Sequence, residues 1–473
     1  MSNDDPAGAI APADGGGVLG PKYRWISIGM CSLILLAAFE SLAVTTVMPG
    51  VSAQLGGESL YALAFAGPLA VSVVGMVLAG NWSDRRGPRG ALLAAVLLFA
   101  IGLIIAGTAQ TMGVLVAGRL IHGFGGGGLT VALYVIVARV YPDYLQPRIF
   151  AGFAAAWVVP SLIGPFVAGV VADTFGWEWV FLGVVALVVP ALVMVTPALR
   201  GMGEKPSADA PPWSVSRIVL AVFAAVAVLV LNLSAGFVGW LIWAVPVAAI
   251  ILLALTVRPL LPVGTLRAAK GLPSVVLLRG LVAGSFFGAE IYIPYLLSDH
   301  YGLSASMAGL ALTLGGVMWG VASQVQGRYS TVLDHGLCIR IGSALLGLAL
   351  AVTIVVPVLE LPAWTLIVGW GVAGAGMGIM YPRTSVMALQ SSTPDDQGFV
   401  SSAISISDAI GSSLAIALTA LVFASLAPLG GVWPFVGCFG LSVLLWLLSL
   451  GAGRRASVTR HPIAVAAATT AAD

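Results

Sequence analysis

The stretch "GNWSDRRGPRG" (Gly80–Gly90) gathers Asp84, Arg85, Arg86 and Arg89 into eleven residues, with glycines and a proline around them. The chain of 473 residues that contains it is only 8% charged and 59% hydrophobic. A soluble chain carries about 25% charged residues. Burying this much apolar surface in a water-soluble core would leave almost nothing polar for the outside. The charges are therefore rationed, and a cluster of them marks a place where the chain meets water.

Working outward from that cluster, apolar runs long enough to span about 30 Å of hydrocarbon recur along the chain. Fourteen are expected, near 25–48, 60–80, 90–108, 113–138, 150–172, 178–196, 217–235, 237–256, 274–297, 304–324, 338–357, 363–387, 398–426 and 431–450. The run 217–256 is too long for one crossing, and "NLSAGFVGW" (Asn232–Trp240) is the expected turn within it. Backbone in lipid must satisfy its own hydrogen bonds, so the runs are helices. The alternation expected of a membrane barrel is missing.

Lys and Arg set the orientation. With the N-terminus in the cytoplasm, Lys22 and Arg24 precede helix 1 and Arg85, Arg86 and Arg89 follow helix 2. Arg139 and Arg148, then Arg200, Lys205 and Arg217, fall on the next inner loops. Arg258, Arg267, Lys270 and Arg279 follow helix 8, Arg328 and Arg340 follow helix 10, Arg383 ends helix 12, and Arg454, Arg455 and Arg460 follow helix 14. Only Arg119 is left inside a helix. The outer loops receive Glu58, Asp173, Glu178, Asp299 and Glu360. No cleaved signal peptide is expected, and helix 1 serves as the insertion signal.

The division expected is a tail over 1–21, a six-helix half over 22–200, a polar loop over 201–216, an inserted helix pair over 217–257, a second six-helix half over 258–451 and a tail over 452–473. Both tails are expected to be disordered and cytoplasmic. A shift of 245 residues brings Pro49 onto Pro294 and Gly57 onto Gly302, which supports two repeated halves. Net charge is +2, so nothing calls for nucleic acid. Cys31, Cys338 and Cys438 are isolated in apolar runs and offer neither metal-ligand spacing nor a disulfide framework. No metal and no cofactor are expected.

The opening stretch resembles the motif between helices 2 and 3 of the major facilitator superfamily, Gly-x-Leu-x-Asp-Arg-x-Gly-Arg-Lys. Gly80, Asp84, Arg85, Gly87 and Arg89 match, while Trp82 replaces Leu and Pro88 replaces a basic residue. Gly80 is expected to admit a second helix backbone and Gly87 to allow a reversal at positive φ. The resemblance implies a cytoplasmic gate, with Asp84 reaching the start of helix 13 near Gly398, where Asp395 and Asp396 also lie.

Three further segments carry the same resemblance. "FESLAVTTVMP" (Phe39–Pro49) is similar to the helix 1 signature of the fourteen-helix drug:proton antiporters, with Glu40 at its acidic position. An ionisable group in mid-membrane is a functional hypothesis in itself. "LVAGRLIHGFGGGG" resembles the helix 4 motif Arg-x-x-Gln-Gly-x-Gly through Arg119, Gly123 and Gly125, with His122 in place of Gln. The likeness assigns Arg119 to proton coupling, and His122 is a second titratable group there. "PSLIGPFVAG" is similar to the helix 5 motif associated with exporters. Gly164, Pro165 and Gly169 match, and Pro160 takes the first glycine position. "GWEWVF" (Gly176–Phe181) fits the start of helix 6, with Glu178 where the family has a base.

In the second half Glu290 and Asp408 lie deep inside their runs. Each is a candidate for a cationic substrate or a second proton, or else the counter-ion of an arginine. Arg328, Asp334 and Arg340 look like a decayed second copy of the opening motif.

The expected protein is an all-α integral membrane protein of the major facilitator fold with both termini cytoplasmic. Its expected activity is proton-driven export of hydrophobic or amphipathic small molecules, cationic ones and drugs included, by alternating access. It is expected to act as a monomer in the cell membrane, with substrate, protons and the lipid bilayer as its partners and the proton gradient as its energy source. An importer or metabolite exporter of the same fold is the alternative. A membrane-embedded transferase is remote, because the longest inner loop holds only Glu204 and Asp209 as acids and no His. An even number of crossings predicts that reporters fused at the two ends are both reached from the cytoplasm. Ends mapped to opposite faces would refute it.

Overall fold

A computed structural model describes residues 17–142, 145–199, 213–234, 240–329, 333–392 and 397–456. Most of the loop 201–216, both distal tails, the turn residues 235–239 and Asp395 and Asp396 lie outside the described residues. Among the described residues the chain is helical, with no strand. The first half comprises α1 (Arg24–Gln54), α2 (Leu63–Arg86), α3 (Pro88–Gly107), α4 (Met112–Val140), α5 (Gln146–Phe175) and α6 (Glu178–Leu199). Two helices follow, α7 (Val215–Leu233) and α8 (Leu241–Val257). The second half comprises α9 (Leu272–Glu290), α10 (Tyr292–Asp299), α11 (Ala305–Arg328), α12 (His335–Val358), α13 (Ala363–Gln390), α14 (Gln397–Leu426) and α15 (Trp433–Arg455).

Among the described residues twelve spans are long and apolar enough to cross a bilayer, with α9 and α10 counted as one. Helix α5 adds a thirteenth once its 44° bend between Arg148–Ser161 and Ile163–Phe175 is taken as one span. Helix α8 is a shorter apolar helix. The protein is thus a multi-pass membrane protein.

The halves repeat one packing scheme. In the first, α1 packs on α5 and α6, and α4 packs on α2 and α3. In the second, α9 packs on α14 and α15, and α13 packs on α11 and α12. The halves meet along two seams, α5 against α11 and α2 against α14. Helix α7 lies on α2 and also touches α14, while α8 is held by α7.

Close approach in α4 comes from its glycines. A Cβ at Gly123 would strike the backbone of Pro68, and one at Gly127 the carbonyl of Ser72, both on α2. One at Gly125 would strike the backbone of Phe99 on α3. With no apolar drive between helices in lipid, such contact is the source of packing attraction. Gly80 does not act this way: a Cβ there meets only Val131 Cγ1 at 3.8 Å. The close backbone approach on α2 falls at Gly75, against the Phe124 carbonyl, one and a half turns earlier. Gly87 has φ 84° and ψ 162°, and Pro88 opens α3 at its first position, where a missing N–H costs nothing.

Two bends follow from prolines. Pro165 has no N–H for the Ser161 carbonyl, so α5 bends there. Pro294 does the same to the carbonyl of Glu290, where α9 gives way to α10 inside what the sequence marks as one run. Gly127→Val should force α2 and α4 apart and cost about 1–3 kcal/mol by overpacking. A lower unfolding midpoint of the detergent-solubilised protein checks it, with Gly113→Ala, where a Cβ meets open space, as the unaffected control.

Candidate functional site: buried charges in two halves

The charges at the helix ends divide the described part of the molecule into two faces. Arg85, Arg86, Arg139, Arg328, Arg454 and Arg455 lie in the last turns of α2, α4, α11 and α15 and define an arginine face. Glu58, Asp173, Asp299 and Glu360 lie at the other helix ends and define an acidic face.

Inside the first half, α1 and α4 bring together three residues the sequence singles out. Arg119 Nη1 is ion-paired to Glu40 Oε1. His122 Nε2 lies 3.1 Å from the other carboxyl oxygen. Arg119 Nε also donates to the Ala64 carbonyl of α2 at 3.0 Å. Exposure is 2% for Glu40, 4% for Arg119 and 7% for His122, so this charge is out of contact with water. The His122 ring lies 4.5 Å from the ring of Phe99, and its Nδ1 has no hydrogen-bond partner among the described residues. The glycines beside it admit this crowding.

The second half holds a different cluster. Arg279 Nε donates to Asp408 Oδ1 at 3.0 Å, and the Tyr381 hydroxyl donates to the same oxygen. Arg279 Nη1 donates to the Tyr381 carbonyl, Thr384 Oγ1 and Ser385 Oγ at 3.0, 3.0 and 3.1 Å. Its guanidinium also stacks 3.3 Å above the Tyr381 ring. Arg279 is therefore not a loop residue following helix 8, as its charge alone suggests, but a counter-ion within α9. Arg383 is likewise buried in α13, where it donates to the Gln326 carbonyl at 3.3 Å. Both can lie in the membrane because each guanidinium meets oxygen acceptors. Asp408 is paired with Arg279 in this arrangement. Its side chain keeps 29% exposure.

Glu290 is different again. It is buried at 7% exposure, ends α9, and has no cationic partner among the described residues. The Trp370 indole is the polar group beside it. Trp370 stacks on Phe286 at 4.8 Å, and Trp319 meets Phe286 edge-on at 5.5 Å. An acid without a counter-ion beside aromatic faces suits a cation or a proton brought from outside.

The exporter-like segment forms a seam. A Cβ at Gly169 would strike the Ser306 backbone, and Gly309 and Gly316 of α11 sit against the carbonyls of Pro165 and Ser161. Gly164 faces Phe39 of α1, next to Glu40, and Pro160 is buried in α5. Asp173 accepts from the Ser306 amide at 3.3 Å, which closes this seam at the acidic face. Toward the arginine face, Tyr134 of α4 is 42% exposed.

In the opening stretch, Asp84 is exposed and makes no ion pair among the described residues. Arg85 lies 5.8 Å from the ring of Trp213. Arg89 is half-buried. The residue that binds a neighbour is Asn81, whose Oδ1 accepts from the Ser214 amide at the start of α7 at 2.8 Å. Arg139 of α4 donates to the Ser83 carbonyl at 2.9 Å and caps α2. The side chain of Gly398's neighbour Gln397 and Asp395–Asp396 lie outside the described side chains. Trp177 of "GWEWVF" donates to Gln54 of α1 at 3.0 Å. Asp334 caps α12 through the Leu337 amide.

Sequence reasoning missed Arg279 and Tyr381 as site residues. The available signal is position: Arg279 falls inside the run 274–297, where an unpaired charge is not tolerated.

Breaking the buried pair from one side should be costly. Glu40→Gln leaves the Arg119 charge uncompensated, at about 3–5 kcal/mol. Adding Arg119→Gln should recover a large part of that loss. Thermal unfolding of the two single variants and the double variant in detergent checks the coupling, and additive losses would refute it.

A family model described as Major Facilitator Superfamily matches residues 30–416. A probable multidrug-efflux transporter of Mycobacterium tuberculosis is 27% identical over 423 residues, covering 83% of this chain and 87% of that protein. Multidrug resistance protein 3 of Bacillus subtilis is 26% identical over 323 residues, covering 65% of this chain and 62% of that protein. Among solved structures, a POT family transporter in complex with 5-aminolevulinic acid matches with TM-score 0.68 at 15% identity, covering 93% of this chain and 97% of the other. A D-xylose-proton symporter matches with TM-score 0.65 at 15% identity, covering 92% and 98%. Repeated six-helix halves, buried counter-ions and the family match agree: the chain belongs to the major facilitator superfamily and is a membrane transporter, not an enzyme.

Proposed function

We propose that the protein exports hydrophobic or amphipathic small molecules, organic cations among them, in exchange for protons that enter down their gradient. The observation that carries this reading is the pair of buried acids in different halves: Glu40 engaged by Arg119 and His122, and Glu290 with no cation of its own. The multidrug transporters among the relatives support the substrate class. The small-residue seam of Gly164, Pro165 and Gly169 supports the direction, by its likeness to exporters.

In this reading Glu290 and its aromatic neighbours hold the cation, and Glu40 carries the proton. When Glu40 takes up a proton, Arg119 loses its counter-charge. The freed positive charge raises the potential in a low-dielectric space and disfavours a cation at Glu290. Proton entry and cargo release are thereby linked through one two-state rearrangement of the halves. His122 offers a nitrogen beside the carboxyl for the proton's passage. Asp84, Arg85 and Arg89 belong to the gate at the arginine face, which is the cytoplasmic one in this reading. Asp408 tunes Arg279 rather than binding cargo directly. Helix α8, extended through Leu260, completes fourteen crossings, with both ends in the cytoplasm, in the plasma membrane and as a monomer.

Proteoliposomes with an imposed pH gradient and a panel of lipophilic cations test this. Wild type should accumulate substrate uphill. Glu40→Gln should lose gradient-driven accumulation at least about tenfold while keeping downhill exchange, the loss of one proton-transfer step. Equal accumulation by both proteins would overturn the coupling. Glu290→Gln should weaken cations far more than neutral substrates. Asp84→Asn should slow turnover with binding retained, and unchanged turnover would return that stretch to a simple charged loop.

A further inference from the structure

The break between α9 and α10 sits directly after Glu290, and a residue of the other half is bonded to it. Helix α9 ends at Glu290, Ile291 stands between the helices, and α10 begins at Tyr292. The Ile291 carbonyl accepts a hydrogen bond from the Tyr61 hydroxyl at 2.5 Å. Tyr61 comes from the first half, between the short 3₁₀ turn Glu58–Leu60 and α2, and is only 2% exposed. Its ring lies 4.9 Å from Tyr295 and 5.9 Å from Tyr292. Tyr292 stacks on Phe423 at 5.3 Å, and Tyr295 meets Phe435 edge-on at 5.3 Å. An aromatic plug drawn from both halves therefore closes the acidic face above Glu290, and one dry hydrogen bond crosses it.

The other hydrogen bond across this face, from the Ser306 amide to Asp173, is exposed. Water replaces an exposed bond as it breaks. The Tyr61 bond has no such replacement until the plug has parted, so both its hydroxyl and the Ile291 carbonyl are left unpaired in an apolar setting.

We propose that Tyr61 is the positioning residue of the acidic-face gate, and that its bond to Ile291 transmits the state of Glu290 to that gate. The Ile291 carbonyl lies in the peptide that follows Ile291, one residue past Glu290, so a backbone shift at Glu290 when its carboxyl takes or releases a charge displaces the carbonyl that Tyr61 holds. This rests on the cation role of Glu290 proposed above.

The test uses the full-length protein in lipid nanodiscs, with spin labels on Glu58→Cys and His300→Cys, both exposed on the acidic face. The population at long label separation reports gate opening. Tyr61→Phe keeps the ring and removes the hydroxyl, and should raise that population about fivefold, the worth of one buried hydrogen bond. Asp173→Asn is the control for the exposed bond and should change it less than about twofold. Glu290→Gln should shift the population in the Tyr61 protein and no longer do so in Tyr61→Phe.

Three results overturn the proposal: an unchanged distribution in Tyr61→Phe, an opening by Asp173→Asn as large as that by Tyr61→Phe, or a Glu290→Gln shift of the same size in both backgrounds. A failure of the cation role itself is read elsewhere. It shows as Glu290→Gln proteoliposomes that treat cations and neutral substrates alike, whatever the label distances report.

Discussion

Arg119 has its charge in the middle of a membrane protein, and Glu40 is what makes that tolerable. Much of the first half can be traced to this contact. Helix α1 must lie close enough to α4 for the two side chains to touch, and α2 presents the Ala64 carbonyl to the Arg119 Nε–H. The glycines of α4 supply the nearness, since side chains at Gly123 or Gly127 would push α2 away. A one-sided loss leaves an ion in hydrocarbon, which is far more costly than replacing both partners.

The second half solves the same problem differently. Its arginine is on the helix equivalent to α1 and its acid on the helix equivalent to α5, with Tyr381 supplying a ring and a hydroxyl from the equivalent of α4. The repeat is one of packing and not of charge placement. Because the two clusters are not copies, protonating one does not mimic protonating the other. Glu290 remains the acid that its own half leaves uncompensated among the described residues.

Most of the fold was legible because lipid imposes a single rule on the backbone, and long apolar runs obey it. Glu40, Arg119 and His122 were legible as candidates because charge and imidazole are conspicuous in such runs. Their mutual contact was not, since it depends on how α1 and α4 rotate against one another. Arg279 was misplaced for a related reason: near a helix end, positive charge satisfies the orientation rule equally well as a loop residue or as a buried counter-ion. Gly80 shows the limit of motif reasoning, because the backbone approach expected there occurs at Gly75. Tyr61 carried no signal at all. A tyrosine at the start of an apolar run is ordinary until the break between α9 and α10 brings the Ile291 carbonyl within its reach.

Helices α7 and α8 have a geometric consequence of their own. Asn81 fastens the start of α7 to the end of α2, and α7 then lies along the line where α2 meets α14. The opposite line, α5 with α11, has no such cover among the described residues. Lipid therefore meets a fenced flank on one side of the molecule and a bare one on the other. A greasy compound dissolved in the bilayer reaches the two flanks on unequal terms, although the halves themselves are built alike.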